Sequence, residues 1–223
     1  MSQPSIYAPT VGEEIAHALS HGVGAVLAVI GLVFLFTNDL IRGDDAALVA
    51  HGVYGGSLVV LYLASTFFHA VPPRWPRLKA LGQRLDHAAI YGLIAGTWTP
   101  FTMLALDGAF AVGFFSVVWS LAAIGLVLTA ASLRFHDDHE AMKAYERRSI
   151  VLYLTMGWLA LFALKPLVDT LPSISIALLV GGGVAYTVGV AFFVSTRKWT
   201  HSIWHLFVMA GSTLHFFSVA FIR

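Results

Sequence analysis

The sequence predicts an all-α integral membrane protein, a bundle of seven transmembrane helices. Of its 223 residues, 58% are hydrophobic, and Asp, Glu, Lys and Arg together make up only 11%. A soluble domain carries about 25% charged residues, so this chain has too few to cover a water-exposed surface. The apolar residues also fall into seven runs, each close to the roughly 20 residues that a helix needs to cross a bilayer. A seven-span bundle follows from these observations.

The seven runs define the expected spans and domain limits. Lys165-Pro166 is expected to close the fifth span, and Pro100 to kink the third, because proline lacks the N–H that a helix interior uses. Continuous runs exclude the alternating pattern of an outer-membrane barrel. The connections are short, so we expect a cytoplasmic segment, 1–16, followed by one transmembrane domain, 17–223. The expected spans cover residues 17–38, 46–70, 85–106, 109–132, 149–166, 173–195 and 201–222.

The distribution of basic residues predicts the orientation. Ten of the 13 Lys and Arg residues fall on one side of the predicted spans, and three fall on the other. Cytoplasmic loops carry the excess of such residues, so the N-terminus is expected in the cytoplasm and the C-terminus outside. The glycines of Gly92-x-x-x-Gly96 and of Gly181–Gly183 are expected where helices approach closely.

Polar residues at helical spacing converge on the predicted inner end of the bundle. The stretch "HSIWHLFV" opens the seventh span with His201 and His205 on one helix face, one turn apart. The second span ends in "STFFHA", which places Ser65 and His69 on one face at the same depth. The third span begins there with "LDHAAIY", which contains Asp86. Ionisable groups inside spans are costly and usually functional.

These residues match the ligand set of a catalytic zinc. The chain has no cysteine, so a metal must be held by His, Asp, Glu or water. A catalytic zinc takes three protein ligands and leaves one position for water. We expect His69, His201 and His205 as ligands, with Asp86 holding the water as anchor and possible base, or else ligating directly. Ser65 would orient His69 or bind a substrate oxygen. The alternative is that each group simply hydrogen-bonds between helices.

Other polar residues have more ordinary interpretations. Three residues at four-residue steps, Glu13, His17 and His21, would suit a second metal. Together with Glu14, they are more simply expected to form a polar cap or to contact the inner site. The stretch His136 to Glu140 is interpreted as a solvated loop. The remaining two histidines, in the outer halves of spans two and seven, are expected to make interhelical hydrogen bonds rather than pair with each other: His51 and His215.

Four stretches together carry a family resemblance: "EEIAHALSHGVGA", "LASTFFHA", "LDHAAIYGLIAGTWTPF" and "HSIWHLFVMAGSTLHFF". From about Glu13 onward the chain resembles the bacterial hemolysin III proteins. These belong with the progestin and adipoQ receptors (PAQR), which resemble the alkaline ceramidases within the broader CREST group of membrane hydrolases. His17 departs from the small amide or hydroxyl residue that the family is expected to carry there.

The resemblance implies a seven-helix bundle in the bacterial inner (plasma) membrane with a zinc site near its cytoplasmic face. It assigns three ligands, His69, His201 and His205, and puts Asp86 beside the water of the metal. It therefore favours Zn²⁺ over other metals that imidazole binds.

Three functions are compatible with this sequence. The first is a zinc-dependent hydrolase, similar to a ceramidase, that acts on a lipid amide or ester entering between helices. The second is a lipid-responsive or lipid-homeostasis protein in which zinc is structural. A cytolytic pore is disfavoured, because the ionisable residues cluster at one end instead of lining a path. Membrane lipids are the expected partners and no nucleic acid is expected; the sequence indicates no protein partner.

Overall fold

The computed structural model describes residues 9–135 and 138–222, so residues 1–8 of the predicted segment 1–16 lie outside it. No strand occurs in this part of the chain. A π-helix, Phe101–Ala105, prolongs the third helix, and a 3-10 turn, Leu133–Phe135, follows the fourth. The α-helices are α1 (Val11–Arg42), α2 (Asp45–Ala70), α3 (Pro76–Pro100), α4 (Gly108–Ser132), α5 (His139–Trp158), α6 (Ala160–Thr170), α7 (Ser173–Phe193) and α8 (Thr200–Ala220).

These elements confirm the predicted seven-helix membrane architecture. Seven helical segments are long and apolar enough to cross a membrane, because α3 continues through the π-helix and α5 with α6 forms one segment, His139–Thr170. Large apolar side chains such as Val26, Ile30 and Val33 remain exposed along these helices, as expected where lipid covers the surface. The orientation of the bundle in the membrane remains a prediction.

The first helix begins before the predicted span. Thr10 Oγ1 accepts a hydrogen bond from the Glu13 amide at 3.3 Å, and Glu13 Oε2 accepts one from the Thr10 amide at 3.0 Å. This capping box satisfies two N–H groups that a helix start would leave unpaired. The helix therefore extends back to Val11, and Glu14 and His17 lie in its first two turns.

The third span changes its helical geometry at Pro100. Proline cannot donate the next hydrogen bond, and α3 passes there into the π-helix 101–105. Two hydroxyls next to this point donate to backbone carbonyls: Thr99 to Ala95 O at 2.9 Å and Thr102 to Trp98 O at 3.0 Å. The structure thus shows a switch to π-helical bonding at this proline, and the predicted kink stays a prediction.

The predicted limits of the fifth span, 149–166, were wrong at both ends. The helix begins at His139 and, after a break at Leu159, continues through Pro166 to Thr170. Asp138 caps its start, since its Oδ1 accepts a hydrogen bond from the Ala141 amide at 3.0 Å. Of the predicted loop 136–140, residues 136 and 137 lie outside the described part. The remaining three are exposed, as expected, but two of them are helical.

The bundle closes by packing its last span against its first. Consecutive helices α1 to α4 pack in order, α7 packs against α8, and α8 also lies against α1. As a result the beginnings of α1, α3 and α8 meet the end of α2 at the same end of the bundle. The residues expected to form the metal site lie at this end.

Two histidines away from that end make the expected interhelical hydrogen bonds. His51 Nδ1 lies 2.8 Å from Asp39 Oδ2, which joins α2 to α1. His215 Nε2 lies 3.0 Å from Leu179 O, which joins α8 to α7. Neither histidine pairs with the other. Their role as interhelical contacts is thereby confirmed.

Close helix contacts occur at some of the predicted glycines and not at others. A Cβ added to Gly182 would overlap the His215 ring and come within 3.1 Å of the Gly211 carbonyl oxygen. A Cβ on Gly183 would meet nothing within 4 Å. Gly96 faces Ser57 closely, whereas the space beside Gly92 is open. Only some of these glycines are therefore required for packing.

We expect Gly182→Ala to lower the free energy of unfolding by about 1–3 kcal/mol, the usual cost of overpacking a filled contact. Gly183→Ala is the matched control, because it adds the same methyl group one residue along α7 in open space. It is expected to be neutral or slightly stabilising, since alanine favours a helix more than glycine does. Thermal unfolding in detergent compares the two. Equal stability of the variants would contradict the assignment of Gly182 to a close contact.

Candidate metal centre

Three histidines predicted as ligands come together where α2 and α8 meet. One ligand nitrogen from each of His69, His201 and His205 lies within 4.8 Å of the corresponding atoms of the other two. Their ring centroids are 4.8 to 5.2 Å apart. His69 and His205 are buried and His201 is partly buried. The helical spacing that suggested this cluster is thus realised in three dimensions.

Polar partners contact one ring nitrogen in two of these histidines, His69 and His205. His69 Nδ1 lies 2.7 Å from Glu14 Oε2, and its buried Nε2 has no hydrogen-bond partner in the described part of the chain. His205 Nδ1 lies 3.0 Å from Ser20 Oγ. Such outer partners are typical of metal-binding histidines, because they fix the ring orientation and raise the basicity of the free nitrogen. The Nε2 atom of His201 is likewise buried without a partner among the described residues.

A lysine fixes the carboxylate behind His69. Lys79 Nζ lies 2.9 Å from Glu14 Oε1 and donates a second hydrogen bond to Phe68 O at 2.9 Å. Both charged side chains are only 19% exposed, so this ion pair is shielded from water better than a surface pair. It ties the starts of α1 and α3 to the end of α2.

Glu14, His17 and His21 at the start of α1 contact this same site. Glu14, His17 and His69 form a second group whose ligand atoms lie within 4.8 Å of one another. The His21 ring stacks on His205 with centroids 3.5 Å apart. The predicted alternative, a separate metal held by Glu13 with two histidines, is not among the clusters found in the described residues. Glu13 instead accepts a hydrogen bond from the Trp199 amide at 2.7 Å.

Asp86 and Ser65 lie beside the histidine cluster. The partly buried Asp86 carboxylate lies next to the Ser65 side chain and close to His69. Ser65 itself is only 1% exposed. Neither of the two possible metal-holding groups includes Asp86. Asp86 therefore lies beside the histidine cluster, and its role as the anchor of a water stays a prediction.

The ring spacing fits a zinc ion. A Zn–N bond of about 2.0–2.1 Å puts each ring centroid about 3.2 Å from the metal, so tetrahedrally arranged rings lie about 5.2 Å apart. The observed separations of 4.8, 5.0 and 5.2 Å match this spacing. Imidazole suits zinc, copper, iron and nickel alike. The cluster could therefore hold a metal ion, and its chemistry allows zinc.

Sequence reasoning did not assign specific roles to the supporting residues. Glu14, His17 and His21 follow the i, i+3, i+7 spacing of one helix face, which was a usable signal for α1. Lys79 served only as evidence for orientation, and its ion pair depends on how α3 begins. Ser20 contacts a residue 185 positions further along the chain, so no local pattern could have predicted it.

Comparisons with known proteins give consistent matches along almost the whole chain. A family model described as "Haemolysin-III related" matches residues 10–216. Hemolysin-3 of Bacillus cereus is 39% identical over 212 residues, which cover 95% of this chain and 92% of that protein. The Hemolysin-3 homolog of Bacillus subtilis is 38% identical over 213 residues, 95% of each chain.

A human protein shows a weaker similarity over the same length. The monocyte to macrophage differentiation factor of Homo sapiens is 27% identical over 218 residues, which cover 96% of this chain and 85% of that protein. With seven helices able to cross a membrane, the similarity to the two Bacillus proteins indicates a multi-pass membrane protein. The inner membrane is the usual location of such bacterial proteins.

Proposed function

This chain belongs to the Haemolysin-III related family, and we propose that it is a zinc-dependent hydrolase of lipid amides or esters. The observation that carries the proposal is the cluster of His69, His201 and His205 beside a carboxylate. Among the described residues, the buried Nε2 atoms of His69 and His201 have no hydrogen-bond partner. Three imidazoles with a neighbouring carboxylate are the donor set of a hydrolytic zinc site.

Each residue of the site has a separate task in this proposal. The three histidines hold the metal, which when bound lowers the pKa of a water and polarises a carbonyl. Asp86 orients the attacking water and accepts its proton as general base. Ser65 donates a hydrogen bond to the carbonyl oxygen of the substrate. Glu14 and Ser20 keep the rings of His69 and His205 in the orientation that binds metal.

An apolar cavity supports a lipid substrate. It has a volume of about 240 Å³ and lies between α3, α5, α7 and α8, with Leu93, Ile94 and Trp204 in its wall. Tyr153, also in this wall, lies near Asp86 and donates a hydrogen bond to the His87 carbonyl at 2.8 Å. The cavity is thus large enough for part of an acyl chain and lies close to the Asp86 carboxylate. The predicted orientation would put the scissile bond at the depth of the inner headgroups.

Metal removal and return tests this proposal. Purified protein in mixed micelles with an acyl amide such as ceramide is expected to show turnover that stops after chelation and returns with zinc. The products are a free fatty acid and an amine, which mass spectrometry quantifies. Turnover that persists after complete metal removal would contradict a zinc-dependent mechanism.

A second candidate is a lipid-responsive protein whose zinc is structural. The observation in its favour is that the cluster joins α2 to α8 and that His205 is only 1% exposed. In this case chelation is expected to lower the unfolding temperature strongly, and no lipid turnover is detected at any zinc concentration. Lipid turnover that returns when zinc is added back would support the hydrolase and contradict a purely structural zinc.

We expect Glu14→Gln to weaken zinc binding about 10–100-fold, because it removes the charge that raises the basicity of His69. Competition with a chromophoric chelator measures the affinity. Glu140→Gln is the matched control, since Glu140 is exposed at the start of α5 and forms an ion pair with Lys143. If Glu14→Gln bound zinc as tightly as the unaltered protein does, His69 would not depend on this carboxylate for metal binding.

A further inference from the structure

His17 is a buried histidine that the proposed zinc site does not use. It lies in the second turn of α1 and is 1% exposed. Both of its ring nitrogens are buried and have no hydrogen-bond partner within residues 9–135 and 138–222. A buried polar group without a partner costs stability and is rare in native proteins. The His17 ring therefore lacks a polar partner among the described residues.

The position of His17 relative to the three ligands is close to symmetrical. Its ring centroid lies 4.7 Å from that of His69, 4.8 Å from that of His201 and 5.2 Å from that of His205. The three ligand rings are 4.8 to 5.2 Å from one another. Four points whose six separations are so nearly equal are the corners of a tetrahedron. The His17 ring centroid occupies the fourth corner, while its ligand nitrogen groups within 4.8 Å with the ligand atoms of Glu14 and His69.

This spacing agrees with four imidazoles around one zinc ion. Tetrahedral coordination puts ring centroids about 5.2 Å apart, as calculated above from the Zn–N bond length. All six separations fall between 4.7 and 5.2 Å. The rings thus need to turn their nitrogens inward, but their centres need to move by only a few tenths of an ångström.

We propose that His17 is a fourth zinc ligand, so that the metal is held by four histidines from α1, α2 and α8. The proposal rests on the proposed zinc site and adds a ligand to it. Structural zinc sites have four protein ligands, whereas catalytic sites leave one position open. His17 therefore closes the site in the resting protein, and hydrolysis requires this side chain to leave its corner.

The number of imidazoles bound to zinc tests this inference on the unaltered protein. X-ray absorption at the zinc edge of the reconstituted, detergent-purified chain is expected to show four imidazole ligands. His17→Asn is expected to show three imidazoles and one oxygen. When cobalt replaces zinc, the visible spectrum of His17→Asn is expected to differ from that of the unaltered protein. Zinc affinity is expected to fall at least about tenfold, the smallest loss caused by removing even an outer partner.

His215→Asn provides the matched control. It replaces a histidine of α8 that contacts the Leu179 carbonyl and lies outside the cluster, so the imidazole count and zinc affinity are expected to be unchanged. Three imidazoles and an oxygen in both the unaltered protein and His17→Asn would overturn the role of His17 and leave the three-histidine site standing. An unaltered protein that binds no zinc after reconstitution would instead remove the proposed function and this inference together.

Discussion

Replacing Asp86 by asparagine is expected to lower lipid turnover by at least about 100-fold, the lower end of what a general base contributes. Asparagine keeps the size of the side chain and its capacity to hydrogen-bond with Ser65, but it cannot accept a proton. Because Asp86 lies outside both possible metal-holding groups, the variant is expected to keep about one zinc per chain. Turnover of an acyl amide in mixed micelles and the metal content of the same sample give both values.

Asp107→Asn is the control for this prediction. Asp107 is exposed at the opposite end of the bundle, where it precedes α4 without a side-chain capping bond. The lipid turnover of Asp107→Asn is expected to equal that of the unaltered protein. If Asp86→Asn turned over lipid normally, the general-base role would be wrong. If it lost zinc together with activity, Asp86 would act as a ligand and its assignment as a neighbouring base would be wrong.

The double variant His201→Ala/His205→Ala is expected to lose the metal. Two imidazoles one turn apart on α8 are removed, so His69 alone remains of the three proposed ligands of the catalytic site. Zinc content after reconstitution and dialysis is expected to fall from about one per chain to less than about 0.1. Far-ultraviolet circular dichroism and size-exclusion chromatography check that the variant remains folded.

The control for the double variant also removes two histidines. His51→Ala/His215→Ala deletes side chains that make interhelical hydrogen bonds away from the cluster. This variant is expected to be less stable but to bind zinc as the unaltered protein does. Zinc retained by His201→Ala/His205→Ala at the level of this control would show that the metal binds elsewhere.

Hydropathy and helical spacing predicted most of the fold and the centre of the site. The seven spans follow from apolar runs, and four-residue steps place Ser65 with His69 and His201 with His205 on shared faces. These patterns are local, and they remain valid when the helices pack. To predict that residues of three separate spans converge at one end of the bundle, it was enough to know that consecutive spans cross the membrane in alternating directions.

The limits of the helices were less predictable, because hydropathy discounts the charged residues at helix ends. The capping box of Thr10 and Glu13 extends α1 through charged residues that a lipid-crossing window excludes. In the fifth span, the helix passes Pro166, which was expected to close it, and breaks at Leu159 instead. Gly157 precedes that break and weakens the helix there, since glycine is a poor helix former.

The surroundings of the site depend on contacts between distant parts of the chain. Lys79 reaches Glu14 across 65 residues, and Ser20 reaches His205 across 185. The position of His17 among the three ligands likewise depends on how closely α1 lies against α8. Spacing within one helix indicates which residues share a face, but it does not indicate which distant side chain they will meet.

The most direct test of the metal site is anomalous X-ray diffraction at the zinc edge from crystals of the zinc-reconstituted protein. The account predicts one strong peak per chain, enclosed by His69, His201 and His205 and within about 2.0–2.1 Å of a nitrogen of each. No peak at this position, or a peak held by other residues, would contradict it.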